Sequence, residues 1–187
     1  MANKKPLSEA AKWFLQEFEN LLQDFSKEMQ VYIIMADKYG NLITKILGPE
    51  KACNIINSVE EGRVRYEDSC KPAISLVAQE KKPVFIDSFA GFACVWIPII
   101  VRNAVIGVII SCGGRYDIGE TRQELEKKYS KLADELGIMD KQGFLKACID
   151  ETKIVTKQEV VQRAERLTKL VHILSETTLT PLKEVFG

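Results

Sequence analysis

The chain has 187 residues, of which 46% are hydrophobic and 28% charged, with 26 Lys plus Arg set against 26 Asp plus Glu. That composition excludes a disordered or membrane-spanning chain, and the charge balance provides no field to draw in nucleic acid or an anionic membrane. The length exceeds the ~100–150 residues typical of one domain yet is short for two, so the expectation is one domain with helical extensions.

The N-terminus, MANKKPLSEAAKWFL, lacks the continuous apolar core and small-residue cleavage site of a signal peptide, which predicts a cytoplasmic location. From Ser8 to about Met29, Ala11, Phe14, Leu15, Phe18, Leu21, Leu22 and Phe25 recur at helical spacing, with Ser8 as N-cap. VYIIMADKYGNLITKIL then reads as a hairpin turning at Asp37 to Asn41. The segment from Pro49 to about Lys81 predicts two helices broken near Glu61-Gly62, with Pro72 in an early turn of the second or kinking it.

Three almost continuously apolar runs follow, VFI, CVWIPII and AVIGVIISC, the last two joined across Val101-Arg102-Asn103. Such runs predict strands covered on both faces. TRQELEKKYSKLADELGI is a charged amphipathic helix that Gly137 terminates, and DKQGFLKACI a short helix after it. From Lys157 to Glu176, a heptad seam of Val160, Ala164, Leu167, Val171 and Leu174 marks a last helix. Without strand-helix alternation, the order predicts an α+β fold: a five-stranded antiparallel sheet flanked by helices.

The five cysteines, Cys53, Cys70, Cys94, Cys112 and Cys148, are scattered without a C-x-x-C pair, so neither a disulfide framework nor a zinc finger is expected, and the thiols are taken as reduced. No metalloprotease, nucleophile-elbow, P-loop or dinucleotide motif is present. The single histidine, His172, lies in the tail, out of phase with the kinase phosphoacceptor box that SETTLTPL partly suggests. No enzyme, cofactor or metal is expected, and Asp87 is the one carboxylate worth following.

The segment from Leu21 to about Arg115, with LLQDFS, DKYGNLI, KACNII, EGRVRY, KKPVFIDSFAGF and IPIIVRNAVIGVIISCGG in this order, resembles the PocR-type ligand-binding sensory domain, a PAS/GAF-like module. The resemblance implies a small-molecule cavity and divides the chain into an N-terminal helix at 1–30, a sensory domain at 31–150 and a helical tail at 151–187. Of the family's typical cysteines, the one in the first helix stands here as Cys53, and the one after G-R-x-R/K is replaced by Tyr66. The family's Cys-His-Ala-Gly-Leu turn stands as Ser88-Phe89-Ala90-Gly91-Phe92. A metal or redox centre that thiols and an imidazole would build thus gives way to a more aromatic pocket.

The resulting candidate ligand site comprises Cys53, Tyr66, Ser88, Phe89, Gly91, Phe92, Trp96 and Ser111. Two readings of the 88–92 turn stand side by side: a pocket wall, or a strand connection packed into the core. The function expected is small-molecule sensing for signal transduction or transcriptional regulation. Its partners would be a small organic ligand, a second copy of the chain joined through the tail and N-terminal helix, and a separate output protein such as a kinase or regulator, with no direct nucleic-acid or membrane contact. The alternatives are a non-sensing scaffold and a thiol-redox sensor using Cys53.

Overall fold

The computed structural model describes residues 7–44, 48–177 and 185–186. Residues 45–47 of the first hairpin, most of the SETTLTPL segment and the side chain of Leu174 lie outside the described residues. Helix α1 spans Glu9–Met29, and the Ser8 hydroxyl accepts from the Ala11 N–H at 3.2 Å, as an N-cap does. Ala11, Phe14, Phe18 and Leu22 form its buried stripe. Leu21 falls off that stripe and is exposed.

Strand β1, Tyr32–Asp37, ends in a turn that the Asp37 carboxylate organises by accepting from the backbone N–H groups of Tyr39 and Asn41, both at 2.9 Å. The strand expected beyond it is reduced to a single bridge between Leu42 and Ala36. The Thr44 hydroxyl accepts from the Met35 N–H at 3.0 Å, so a side chain takes the place that a ladder carbonyl would occupy. Among the described residues the main sheet has four strands.

Helices α2, Lys51–Ser58, and α3, Glu60–Glu80, are separated at Val59, which is extended, slightly before the predicted break. Gly62 sits inside α3, where a Cβ would collide with the Ile56 carbonyl oxygen, so it permits a close approach rather than ending a helix. Pro72 is in the middle of α3, not in an early turn, and the helix continues to Glu80.

Strands β2, Val84–Phe85, β3, Cys94–Val101, and β4, Ala104–Cys112, complete an antiparallel sheet in the order β1-β4-β3-β2. Arg102 and Asn103 both take positive φ, 48° and 67°, as a two-residue hairpin loop between right-twisted strands requires. Short strands β5, Arg115–Tyr116, and β6, Ile154–Val155, pair in parallel, a second small sheet with no clear sequence signal. Between them run α4, Arg122–Leu136, opened by a Thr121–Glu124 capping box and closed by Gly137, and α5, Lys141–Lys146. A π-helical turn, Ala147–Glu151, extends α5, and α6 spans Lys157–Thr177.

Side-chain alternation divides the interior in two. Tyr32, Ile34, Trp96, Val108 and Ile110 face a core shared with α2, α3, α4 and α5. Ile33, Met35, Val95, Ile97 and Ile109 face another shared with α1 and α6. The seam residues Ala164, Leu167 and Val171 belong to this second core, while Val160 packs with Ala93 and Val155. The described seam residues are thus buried against the chain's own sheet. Strand periodicity supplies the apolar floor, so α6 needs no second copy to cover its stripe.

One expectation about the thiols is corrected. Cys94 and Cys112 lie directly opposite each other on β3 and β4, with Cα atoms 4.1 Å apart, and form a disulfide. A separation of 18 residues concealed a pairing that only strand register reveals. Cys53, Cys70 and Cys148 are free and buried.

Candidate functional site

Four of the residues singled out from sequence, Cys53, Tyr66, Phe92 and Trp96, converge on the core between the sheet and α2 to α5. The others do not join them there. Ser111 pairs in register with Ile33 and Val95, and these face α1 and α6, so Ser111 points to the opposite side of the sheet from Trp96. Phe89 is 37% exposed and sits on the outer side of its turn. The Ser88 hydroxyl accepts from the Phe92 N–H at 3.1 Å, which closes the turn on itself. Gly91 has φ 82°, and a Cβ there would approach Lys128 of α4. The turn therefore contributes two side chains to the interior, Ala90 and Phe92, and otherwise works as a connection.

What surrounds those four residues is more polar than the sequence suggested. Tyr32, Tyr66 and Tyr129 are all buried, and the hydroxyl of each lacks a hydrogen-bond partner in acceptable geometry among the described residues. Tyr32 and Tyr66 meet edge to face with ring centroids 5.9 Å apart. Tyr129 of α4 is held between Phe92, stacked at 6.2 Å, and Phe144, edge-on at 6.3 Å. Three phenol groups on a strand and two helices are thus oriented by aromatic packing while their polar ends remain unmatched. An unmatched buried hydroxyl costs about 1–3 kcal/mol, and three in one core are unusual in a region that serves packing alone.

Three free thiols lie in the same core. Burial raises the Cys53 thiol well above its ordinary value, with Glu50 and Cys148 adding to the shift. Burial pushes Cys70 up to about 12, with Glu67 contributing, and raises Cys148 as well, with Glu50 contributing. Burial likewise raises all three tyrosines. The phenol and thiol groups of this core are held in their neutral forms, so between them they offer hydroxyl and thiol dipoles. Cys53 kept as a thiol is a poor nucleophile, which weighs against the thiol-redox alternative.

Glu50 is buried at the start of α2. Its Oε1 is 3.0 Å from the Thr152 hydroxyl, and burial raises its carboxyl above the ordinary range. Trp96 is anchored by its indole N–H, which donates to the Ile86 carbonyl at 3.3 Å. Among the described residues no three His, Cys, Asp or Glu side chains are grouped to hold a metal. His172 is exposed on α6.

Sequence reasoning missed Tyr32, Tyr129, Cys148 and Glu50. Tyr32 and Tyr129 carried a usable signal, since each stands on an apolar stripe where its hydroxyl needs a partner. Cys148 and Glu50 did not, because a π turn and an α2 cap bring them in.

An antiparallel sheet with helices packed on one face over a core that holds buried phenol and thiol groups defines a PAS/GAF-like α+β domain. A family model described as "Sensory domain found in PocR" matches residues 14–179, and the chain belongs to that family. The match extends beyond the stretch on which the resemblance rested and takes in most of α1 and all of α6. No curated protein and no solved structure matches. Among the described residues no helix is long and apolar enough to cross a membrane.

Proposed function

We propose that the chain is a small-molecule-binding sensory domain of a cytoplasmic signalling or transcriptional system, acting without chemical turnover. The observation that carries this reading is the set of three buried tyrosine hydroxyls around Cys53, none with a well-aligned partner among the described residues. A ligand that accepts or donates hydrogen bonds there relieves their desolvation, and with no counter-charge among these groups that ligand is uncharged.

Occupancy reaches α6 through Arg163. Its Nη1 donates to the Gly113 carbonyl at 3.1 Å and its Nη2 to the Ala93 carbonyl at 3.0 Å, just beyond the ends of β4 and β3. Ala93 follows Phe92, which stacks on Tyr129, so movement of that ring shifts the carbonyl that α6 holds. A separate output protein, such as a kinase or regulator, reads the change. With the seam buried, a homodimer contact falls to the outer side of α1, where Trp13 and Leu21 are exposed.

Native mass spectrometry of the protein purified from its own cells tests the reading. A stoichiometric small-molecule adduct, lost in a Tyr66→Phe, Tyr129→Phe double variant that remains folded, is expected. A scaffold has one observation in its favour, the complete burial of Phe92 and Trp96 beneath the turn. Protein free of any adduct, with the double variant behaving as wild type in cells, would decide for the scaffold.

A further inference from the structure

Cys94 is the first residue of β3 and Cys112 the last of β4, so their disulfide closes the final rung of the ladder. Beyond it the strand ends are joined by the Ala93 N–H, which donates to the Gly114 carbonyl at 2.9 Å, and the Gly113 N–H, which donates to the Ala93 carbonyl at 3.1 Å. The carbonyls that Arg163 holds are those of Ala93 and Gly113, the immediate chain neighbours of the two cysteines. One guanidinium from α6 therefore spans the same two strand ends that the disulfide joins.

The bond and the helix lie on opposite faces of the sheet. Cys94 and Cys112 belong to the core that holds Tyr32 and Trp96, whereas α6 packs on the face of Val95 and Ile97. Arg163 ties α6 to the ladder at the level of the disulfide. A second tie runs through the backbone. After Cys112 the chain passes Gly114, where a Cβ would collide with Val155 of β6, and enters β5, which pairs with β6 just ahead of α6. Cys53, Cys70 and Cys148 stay free in the same core, so the chain is not held together by a disulfide framework. The sequence predicts a cytoplasmic location, and there a disulfide is characteristically transient and redox-sensing.

We propose that the Cys94–Cys112 disulfide is a reversible redox switch for α6. When the bond is made, it fixes the spacing of the strand ends that Arg163 spans; when it is reduced, those ends part and the Arg163 end of α6 loosens. The reductant is a dithiol. One of its thiolates attacks a cysteine sulfur, the S–S bond breaks and a mixed disulfide forms; its second thiol then displaces the protein sulfur. The dithiol leaves as its own disulfide, and its two electrons and two protons end on Cys94 and Cys112 as thiols. A low-molecular-weight disulfide reverses the step. The switch shares α6 as the moving element with the reading above, but needs no ligand. Its coupling is reciprocal. Both cysteines are 1% exposed, so attack requires the ladder end to open, and the Arg163 bonds are among those that keep it shut.

Hydrogen exchange of the intact chain, oxidised with glutathione disulfide or reduced with dithiothreitol, tests the switch by peptide mass spectrometry. Residues 113–116 and 157–167 are expected to exchange about tenfold faster in the reduced chain, while residues 99–107, at the far end of the same hairpin, stay unchanged. Labelling with N-ethylmaleimide under denaturing conditions identifies the pair that changes state. A Cys94→Ala, Cys112→Ala double variant should exchange as the reduced chain does and ignore dithiothreitol. In Arg163→Met the disulfide should be reduced about tenfold faster at one dithiothreitol concentration. The switch is overturned by equal exchange over 157–167 in the two states, by equal acceleration at 99–107, or by Cys94 and Cys112 labelling as free thiols after oxidation. Reduction of Arg163→Met at the wild-type rate overturns it as well. If that variant does not fold, the two states of the wild type decide. No ligand enters the experiment, so its outcome is independent of whether an adduct co-purifies.

Discussion

Tyr66 is 4% exposed and its hydroxyl has no well-aligned partner, with the Tyr32 hydroxyl within reach but poorly oriented, so Tyr66→Phe removes a polar atom whose burial is poorly compensated. Leaving such a group unmatched costs about 1–3 kcal/mol, whereas the void left by one oxygen is smaller than a methyl group and costs under about 1 kcal/mol. The ring keeps its edge-to-face contact with Tyr32, so the aromatic term is unchanged. The ligand-free variant should therefore be more stable than wild type by about 1 kcal/mol. For a chain of this size that is a rise in Tm of about 2–4 °C. Urea denaturation by circular dichroism, with thermal scans beside it, measures the change in protein refolded from denaturant so that no ligand is carried over. Ligand-bearing protein should show the reverse order, because wild type keeps a hydrogen bond that the variant cannot make. A ligand-free Tyr66→Phe destabilised by more than about 1 kcal/mol would mean that the hydroxyl is already satisfied, and would remove the argument that this core awaits a ligand.

Arg163→Met gives up two charge-assisted bonds to carbonyls but also removes a buried guanidinium with no carboxylate partner among the described residues, for a net loss of about 1–3 kcal/mol. Amide exchange should accelerate first in α6; uniform exchange along the chain would separate Arg163 from α6 docking. Leu167→Ala should cost about 2–5 kcal/mol and leave the oligomeric state unchanged in light scattering, whereas dissociation without unfolding would place the seam between chains. Glu159 is held down at about 2 by its hydrogen bond from Lys153 and by the backbone and hydroxyl of Thr156. A carboxylate lowered in the folded state adds stability that is present above its ordinary value of 4.5 and lost as pH falls from there to about 2. Glu159→Gln should flatten that part of the acid-unfolding curve, and an unchanged curve would refute the assignment.

The sheet and most helices were legible because their cause is periodic. Alternation and near-continuous apolar runs fixed β3 and β4, Ser8 and Gly137 marked helix ends, and the Arg102-Asn103 loop was visible as a short hairpin. The lost fifth strand was not legible, since Leu42 and Ile43 have strand character and only the Thr44 hydroxyl shows that the ladder stops. Site residues on helices α2 and α3 were read correctly as neighbours. Ser111 was misassigned because a strand residue's face depends on register, and a one-residue change of register reverses it. Tyr32 and Tyr129 were passed over although each sets a hydroxyl on an apolar stripe.

The π turn at Ala147–Glu151 has a consequence for how this side of the core moves. A π turn carries one residue more than an α turn in the same length of helix. If it tightened to α geometry, the chain beyond it would advance by one residue, a rotation of about 100°. Thr152 would then be carried away from the Glu50 carboxylate, and the shift would pass through β6 to α6, which begins two residues after β6 ends.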